Sequence, residues 1–340
     1  MRAMRALVIG CGIGGASVAL ALAEIGFDVE AYETTPRARD HHGWVTLGPS
    51  AMTGLDRLSV GDQVSAVGFP IVNVHTVDTV TGGVTEFSRY EATHHYPSTH
   101  VWRRDLLSIL RDRLGKIGIT CHYGSTTTVG DRDADLILGA DGAWSATRQA
   151  IGNFTKPTYT GQIIRYGHHP RPAPGLSTGV LHFWRHHDGV VGYVADSRDG
   201  SFWFSRYNSD TLTPTVGLHT MTAPLRDTPV HEVLDTSSWV SSPIALYELD
   251  PSGIWHRNHT VLIGDAAHAL SPAAGRGATS AIEDAIILAR NLREHAYRIR
   301  EALESFTASR RPIALATYRP TPGQRPIAIS ADKLDLTAGI

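Results

Sequence analysis

Between the short apolar run Ala6-Leu7-Val8-Ile9 and a stretch of helical periodicity stands the turn Gly10-Cys-Gly-Ile-Gly-Gly15. Three glycines in the order G-x-G-x-x-G have separate tasks. Gly10 makes the tight turn, Gly12 lets backbone approach a pyrophosphate, and Gly15 lets helix and strand pack closely. Ile13 and Gly14 lie between them, where the first amides of a helix stand free and favour negative charge. Val18, Leu22 and Ile25 mark the packed face of a helix over 13–25, and Gly26 can terminate it. Residues 28–33 then read as a second strand ending on Glu33, 18 residues beyond Gly15. That carboxylate is placed to accept hydrogen bonds from an adenosine ribose. A glycine turn that binds nothing is the alternative, but it leaves the strand, the helix and Glu33 as coincidences. NAD and FAD both fit such a turn.

The chain has 340 residues, more than one ordinary core, so two domains sharing an interface are expected. With 42% apolar and 19% charged residues it can bury a substantial core. A formal charge of -2 gives no electrostatic case for nucleic acid or an anionic membrane. Charges or glycines interrupt every apolar run, so no bilayer span is expected. The amino terminus reads as the first strand of the fold rather than a signal peptide. Cys11 and Cys121 make no disulfide framework, which points to a reducing, cytoplasmic setting.

Further along, residues 69–92 suggest a hairpin about Gly82-Gly83, and residues 105–114 a helix capped by Gly115. Residues 134–140 read as a buried strand. After Pro170, Pro172 and Pro174 come strands over about 178–185, 190–195 and 201–207, an antiparallel meander. Residues 216–248 read as a helix with one or two strands. A buried strand over 259–264 and a helix over about 278–295 follow. A second helix over 300–311 is stopped or kinked at Pro312, and the tail from Pro320 reads as irregular. The order is α/β, then a strand-rich insert, then α/β again.

Three separated segments carry a resemblance: the first turn with Glu33, Gly139-Ala-Asp-Gly-Ala-Trp-Ser-Ala-Thr-Arg148, and Gly264-Asp-Ala-Ala-His-Ala-Leu-Ser-Pro-Ala-Ala-Gly-Arg-Gly277 continuing to Glu283-Asp284-Ala285. In this order they resemble the group A flavoprotein monooxygenases, the family of para-hydroxybenzoate hydroxylase. Trp102-Arg103-Arg104-Asp105-Leu106 looks like the family's R-x-D-L segment. Gly43 through Met52 looks like the segment beside the isoalloxazine.

The resemblance implies an α/β fold: an FAD-binding, Rossmann-like domain of the glutathione-reductase type with an inserted, mainly antiparallel β-sheet substrate domain. The FAD-binding domain would comprise residues 1–68, 96–158 and 256–318. The substrate domain would take the hairpin 69–95 and residues 159–255, and 319–340 would be a tail. Gly10, Gly12, Ile13, Gly14, Gly15 and Glu33 would hold the adenosine diphosphate. Arg103 would help hold the flavin, and Asp141 would support the groove shared with NAD(P)H. Asp265 would bind the ribityl or pyrophosphate region, with simple helix capping as its plain alternative. Pro272 would lie near the reactive edge. Gly275 and Gly277 would permit close backbone approach, and the amides of Ala278 and Thr279 would face the pyrimidine end. Arg276 stands where the family often has glutamine. His268 reads as a packed structural histidine.

In this family NADH or NADPH reduces FAD, and a flavin C4a-hydroperoxide formed with O2 passes one oxygen atom to an aromatic or polyketide-like small molecule. The difficult electronics belong to the cofactor, so no universal catalytic side chain is sought. His182, Trp184, Tyr193, Trp203 and Arg206 are candidate pocket residues on the inserted strands, although each aromatic is equally at home in a core. Arg185 and Arg206 suit a carboxylate or phenolate, or a surface. No metal site is expected, because His186-His187 has no third ligand at convincing spacing. Epoxidation, an oxygen-independent flavin reductase or dehydrogenase, and a non-catalytic flavin-binding protein are the alternatives. A monomer or weak homodimer is expected.

Overall fold

The computed structural model describes residues 2–37, 43–88, 96–131, 133–212, 225–271 and 275–318. Pro272 and the tail therefore lie outside the described residues. One layer is a six-stranded sheet in the order His256–Arg257, Thr260–Leu262, Leu136–Gly139, Arg5–Ile9, Asp28–Glu33, Thr120–Tyr123. The pairings between Leu136–Gly139, Arg5–Ile9, Asp28–Glu33 and their neighbours are parallel, and only the short edge pair is antiparallel. Parallel strands need crossover segments, which pack on the sheet. Helices Ile13–Glu24, Arg103–Lys116 and Gly277–Glu294 cover one face, where one continuous core joins them to Ala6, Val8, Leu136 and Leu138, and on the other face Leu7, Ile9, Tyr32 and Ile137 pack with Val129 and Ala134.

Two glycines fix the first βαβ unit. Gly10 has φ +94°, and a Cβ on Gly15 would stand 1.9 Å from the Gly10 carbonyl oxygen. The first helix ends as its sequence predicts. Gly26 takes φ +91°, and the amides of Gly26 and Phe27 return to the carbonyls of Ala23 and Leu22.

The inserted layer is an eight-stranded mixed sheet. Its main path runs Trp239–Val240, Thr158–His169, Gly200–Asn208, Gly189–Asp196, Val180–His186, Asn73–Asp78, Val84–Ser88, with Ile244–Glu248 also paired to Thr158–His169. All its ladders are antiparallel except that between Val180–His186 and Asn73–Asp78. Alternation divides its aromatics between two faces. Trp184, Tyr193 and Trp203 pack with Leu225, Val230 and Leu234 on one face. Phe202, with Phe204 and Tyr166 beside it, packs with Trp44 and Phe69 on the other. A small third sheet, Trp44–Leu47, Ser98–Trp102 and Phe69–Ile71, lies between this second face and the α/β layer. The fold is thus a Rossmann-like α/β layer with an inserted sheet.

Three local expectations are corrected. The helix expected to stop before Gly115 runs to Lys116. The left-handed residue is Gly118, φ +82°, and the Ile119 amide closes the turn on Leu114. Of the two outcomes expected at Pro312, a stop or a kink, the stop is overturned: the helix spans Ile299–Thr317, because Phe306, Arg310 and Ala314 are buried on both sides of the proline and hold it in place. The strand Thr158–His169 carries no clean sequence signal, since glycines interrupt it. At Gly167 a Cβ would meet the Trp203 ring at 2.1 Å, so the glycine makes room for an indole across the ladder. Phe69–Ile71, read as part of a hairpin, belongs instead to the small sheet.

His100 is wholly buried at the centre of that small sheet, with ring centroids 4.5 Å from Trp44 and 5.0 Å from Phe69 and Phe202. Its Nδ1 meets Thr46 Oγ1 at 3.0 Å. Burial pushes its pKa down to about 3 from 6.5. The folded protein therefore refuses a proton that the unfolded chain accepts below about 6.5. The associated stability is present above that pH and falls as pH drops toward 3, by about 1.4 kcal/mol per unit. Thermal melts from pH 7 to pH 4 should show a shallower loss in His100→Phe than in the wild type. Equal slopes would contradict this assignment.

Candidate cofactor and substrate site

The helix Ile13–Glu24 begins at Gly12 with no side-chain cap and no acidic residue in its first turn. Its leading amides are therefore left for something other than the protein's own side chains. The three fingerprint glycines differ in the space around them. A Cβ on Gly10 would stand 2.4 Å from the Ala140 carbonyl oxygen, and one on Gly15 would strike Gly10. A Cβ on Gly12 would meet nothing within 4 Å. Gly10 and Gly15 are glycine because the protein is close, whereas the space over Gly12 is a cradle of the kind a diphosphate fills.

Glu33 closes one end of this cradle. Its Oε2 accepts from the Cys11 amide at 2.9 Å and its Oε1 from the Thr35 amide at 2.8 Å. Burial pushes the carboxyl up, but these amides and the Arg111 guanidinium outweigh it and hold the group below its usual range. Arg111 was not among the sequence candidates. It is buried on helix Arg103–Lys116, donates from Nε and Nη2 to the Cys11 carbonyl at 3.1 and 2.9 Å, and lies 3.8 Å from Glu33. The available signal was an arginine inside the apolar stripe Leu107, Leu110, Leu114.

Asp141 packs beneath the turn, its Cα 2.9 Å from where a Gly10 Cβ would be. Its carboxylate accepts from Ser145 Oγ, from the Thr147 amide at 3.0 Å and from Thr147 Oγ1 at 3.1 Å. In this geometry it organises the start of helix Ala146–Ala150. Arg148, also buried, reaches the carbonyls of Ala143, Thr155 and Ala266, so the second motif is tied to the third.

In the third motif Gly264 has φ +55°, and Asp265 follows it at an exposed position. A Cβ on Gly277 would lie 3.9 Å from Asp265 Oδ1, and one on Gly14 would lie 3.2 Å from the Ala281 Cβ. The late helix thus starts beside both Asp265 and the first helix. Gly275 has φ +61°, Ala278 is half-buried, and the Thr279 hydroxyl accepts the Gly48 amide at 3.1 Å. Behind these loops lies a buried charge cluster. Asp284 Oδ2 accepts from the Gly264 amide at 2.9 Å and meets His268 Nε2 at 2.6 Å, while its Oδ1 takes Arg310 Nε at 2.6 Å. Arg310 Nη2 also lies 3.0 Å from Glu283 Oε2, and Glu283 Oε1 accepts from Ser50 Oγ at 2.7 Å and Arg276 Nη2 at 3.2 Å. Burial would raise the Asp284 carboxyl, but His268 and Arg310 reverse this and hold it low. His268 is a structural histidine in this network.

Arg103 starts its helix with its amide on the Gly43 carbonyl, 3.1 Å away. Across from it, Tyr166 lies 3.4 Å from where a Gly43 Cβ would be. The wall facing the cofactor loops is therefore Trp44, Tyr166 and Phe204, with Trp44 5.7 Å from both rings, and Arg206 shares that face. The other pocket candidates lie on the opposite face. His182 stacks on Trp184, the Tyr193 hydroxyl accepts the Ala173 amide at 2.6 Å, and Trp203 Nε1 donates to Ser237 at 2.7 Å. Alternation sorts the residues of a strand into two sets, and packing against Leu225, Val230 and Leu234 sent this set away from the cleft.

Two substitutions test this arrangement. Gly12→Val should fold, because a Cβ there has no protein atom within 4 Å, yet weaken FAD binding at least about a hundredfold by filling the cradle. Wild-type affinity in a fluorescence titration would refute the placement. Arg310→Met leaves Asp284 and Glu283 buried without their shared cation, and should cost about 3–5 kcal/mol in denaturant unfolding. A change below about 1 kcal/mol would show that the cluster does not hold these loops.

The family described as FAD binding domain matches residues 3–321. The 6-hydroxynicotinate 3-monooxygenase of Bordetella bronchiseptica is 28% identical, over 90% of this chain and 89% of its own. The kynurenine 3-monooxygenase of Salinispora tropica is also 28% identical, over 92% of this chain and 77% of its own. The solved structure of Klebsiella pneumoniae HpxO complexed with FAD and uric acid superposes with a TM-score of 0.78 at 24% identity, covering 92% of this chain and 85% of that one. At that identity it shows a shared fold. With the family match spanning nearly the whole chain, and the uncapped turn, Asp265 and the start of the late helix gathered on one cleft, the chain belongs to the FAD-binding-domain family of the group A flavoproteins.

Proposed function

We propose that this protein is an NAD(P)H- and FAD-dependent monooxygenase that inserts one atom of O2 into a small planar aromatic or heteroaromatic molecule. The observation that carries the reading is the meeting of three unlike features at one cleft. These are the free amides over Gly12, the start of helix Gly277–Glu294 beside Asp265, and an aromatic wall of Trp44, Tyr166 and Phe204 facing them. Relatives named for 6-hydroxynicotinate, kynurenine and urate support a small, ring-bearing substrate.

The residues divide the work. The amides after Gly12 hold the diphosphate, and Glu33, fixed as an anion by Cys11, Thr35 and Arg111, accepts from ribose hydroxyls. Asp265 meets the ribityl side. The amides of Ala278 and Thr279, at the positive end of an 18-residue helix, favour negative charge on the pyrimidine end of a reduced ring. Asp141 keeps the turn beneath the cofactor in shape. FAD, when bound and reduced by NADH or NADPH, supplies the electrons that activate O2. Trp44, Tyr166 and Phe204 orient a flat substrate against it and exclude water, which protects the reaction from unproductive release of oxygen species.

The test is product analysis. Purified FAD-loaded protein, NADPH or NADH, and isotopically labelled O2 should be given a panel containing 6-hydroxynicotinate, kynurenine, urate and simple phenols. A product carrying one labelled oxygen atom is expected. A reduced or dehydrogenated product without label would assign a flavin reductase or dehydrogenase instead. FAD binding with no turnover across the panel would count against catalysis.

A further inference from the structure

The chain has only two cysteines, far apart in sequence, and the fold brings them together beside the dinucleotide turn. Cys11 stands between Gly10 and Gly12 and is wholly buried. Cys121 lies on the edge strand Thr120–Tyr123, paired with Ala31, and is partly exposed. Both side chains pack on one core, and the two thiols share a hydrogen bond while no disulfide joins them. Arg111 touches both sides of the pair: it donates to the Cys11 carbonyl, and its guanidinium carbon lies 5.0 Å from the centre of the Tyr123 ring. The thiols differ in acidity. The hydrogen bond with Cys11, joined by Tyr123 and Arg111, pulls the Cys121 thiol down to about 7 against the effects of burial and Glu33. The same hydrogen bond, with burial, pushes the Cys11 thiol up. A partly exposed thiolate next to a buried, protonated thiol is the arrangement of an attacking and a resolving cysteine. The binding role of Cys11 uses its backbone alone, so neither sulfur is spent on holding the cofactor.

We propose that Cys121 and Cys11 form a peroxide-oxidised modification site, whose disulfide distorts the turn and weakens FAD binding until a dithiol reductant reopens it. The effect on FAD rests on the reading of the turn as the diphosphate site. Hydrogen peroxide is the oxidant, the compound that a reduced flavin releases when O2 reacts with no substrate in place. The Cys121 thiolate attacks one peroxide oxygen; the S–O bond forms, the O–O bond breaks, and hydroxide leaves. The Cys11 sulfur then attacks Cys121 Sγ. The S–S bond forms, the S–O bond breaks, and the departing hydroxide takes the Cys11 proton as water. Both sulfurs are oxidised by one electron each, and the peroxide is reduced to water. Exchange with a dithiol reverses this, the reductant leaving as its own disulfide. A disulfide is about 2 Å long, much shorter than a contact between thiols, so closing it must move one backbone. The strand of Cys121 is held by its ladder to Asp28–Glu33, whereas Cys11 is flanked by glycines, so the turn yields. Its shift carries the Cys11 amide and carbonyl away from Glu33 and Arg111.

The full chain, with and without bound FAD, is treated with hydrogen peroxide, quenched with catalase and digested without reductant for peptide mapping. FAD affinity is measured by fluorescence on the same samples. A peptide linked through Cys11 and Cys121 is expected, with FAD affinity lowered at least about tenfold and restored by dithiothreitol. Cys121→Ser should form no link and keep the affinity of the reduced wild type after the same treatment. In Cys11→Ser a sulfenic acid should persist at Cys121 and be trapped by a cyclic 1,3-diketone. Two thiols left unlinked in treated wild type, a link that leaves FAD affinity unchanged, or an equal loss of affinity in Cys121→Ser overturns the proposal. The link is read without cofactor. Reduced wild type that binds no FAD would therefore sink the flavoprotein reading, whereas intact FAD binding with unlinked thiols would sink only the modification site. Melting curves identify unfolding, and Cys121→Ala replaces the serine variant if that one is unstable.

Discussion

The structure turns on one constraint: the first helix must start in backbone that is tightly packed from below and untouched from above. Gly10 and Gly15 meet the packing demand, since a Cβ at either would enter backbone carbonyl atoms. Gly12 meets the other, with nothing near its missing side chain and no polar side chain capping the amides that follow. A helix start left this way gives up the stability a serine or aspartate cap would add, about 1 kcal/mol. An anion that accepts those amides offsets the deficit. Glu33 and Arg111 then shape the far end of the same cradle, locked to the turn through Cys11.

The second organising feature is the buried cluster of Asp284, Glu283, His268 and Arg310. Single isolated charges at such depth would be strongly disfavoured. Here each carboxylate has at least one cation and further donors, and the partners come from far-separated parts of the chain: Ser50, Gly264, Arg276 and Arg310. The cluster therefore ties the segment beside the small sheet, the loop before Asp265 and the start of the late helix to one another. These bonds brace the cleft from behind.

The repeating units of the fold were legible in the sequence because they rest on local chemistry. The first turn, the strand ending at Glu33 and the Gly26 cap depend on residues within a few positions. The three inserted strands from Val180 to Asn208 also emerged, through alternation and the Asp-Gly turns. Which face of those strands would meet the cleft was not legible. Period-two patterning makes two equivalent sets, and the choice between Trp184, Tyr193, Trp203 and Phe202, Phe204, Arg206 was made by distant partners such as Leu225 and Trp44. Tyr166 escaped notice because its strand is cut by Gly161, at φ +72°, and by Gly167, which admits the Trp203 ring from the neighbouring strand. Arg111 and Arg310 were not among the sequence candidates. Their carboxylate partners lie far along the chain, and only folding brings them together.

The central claim is that a flavin dinucleotide, held by its diphosphate over the first helix, occupies this cleft. Equilibrium binding of FAD, FMN and riboflavin to the cofactor-free protein tests it most directly, because the three share one ring and differ in what reaches the cradle. The account predicts FAD binding at least about a hundredfold tighter than FMN and riboflavin weaker still. Equal affinity for all three would mean that the ring alone is recognised and that the turn at Gly12 serves another purpose.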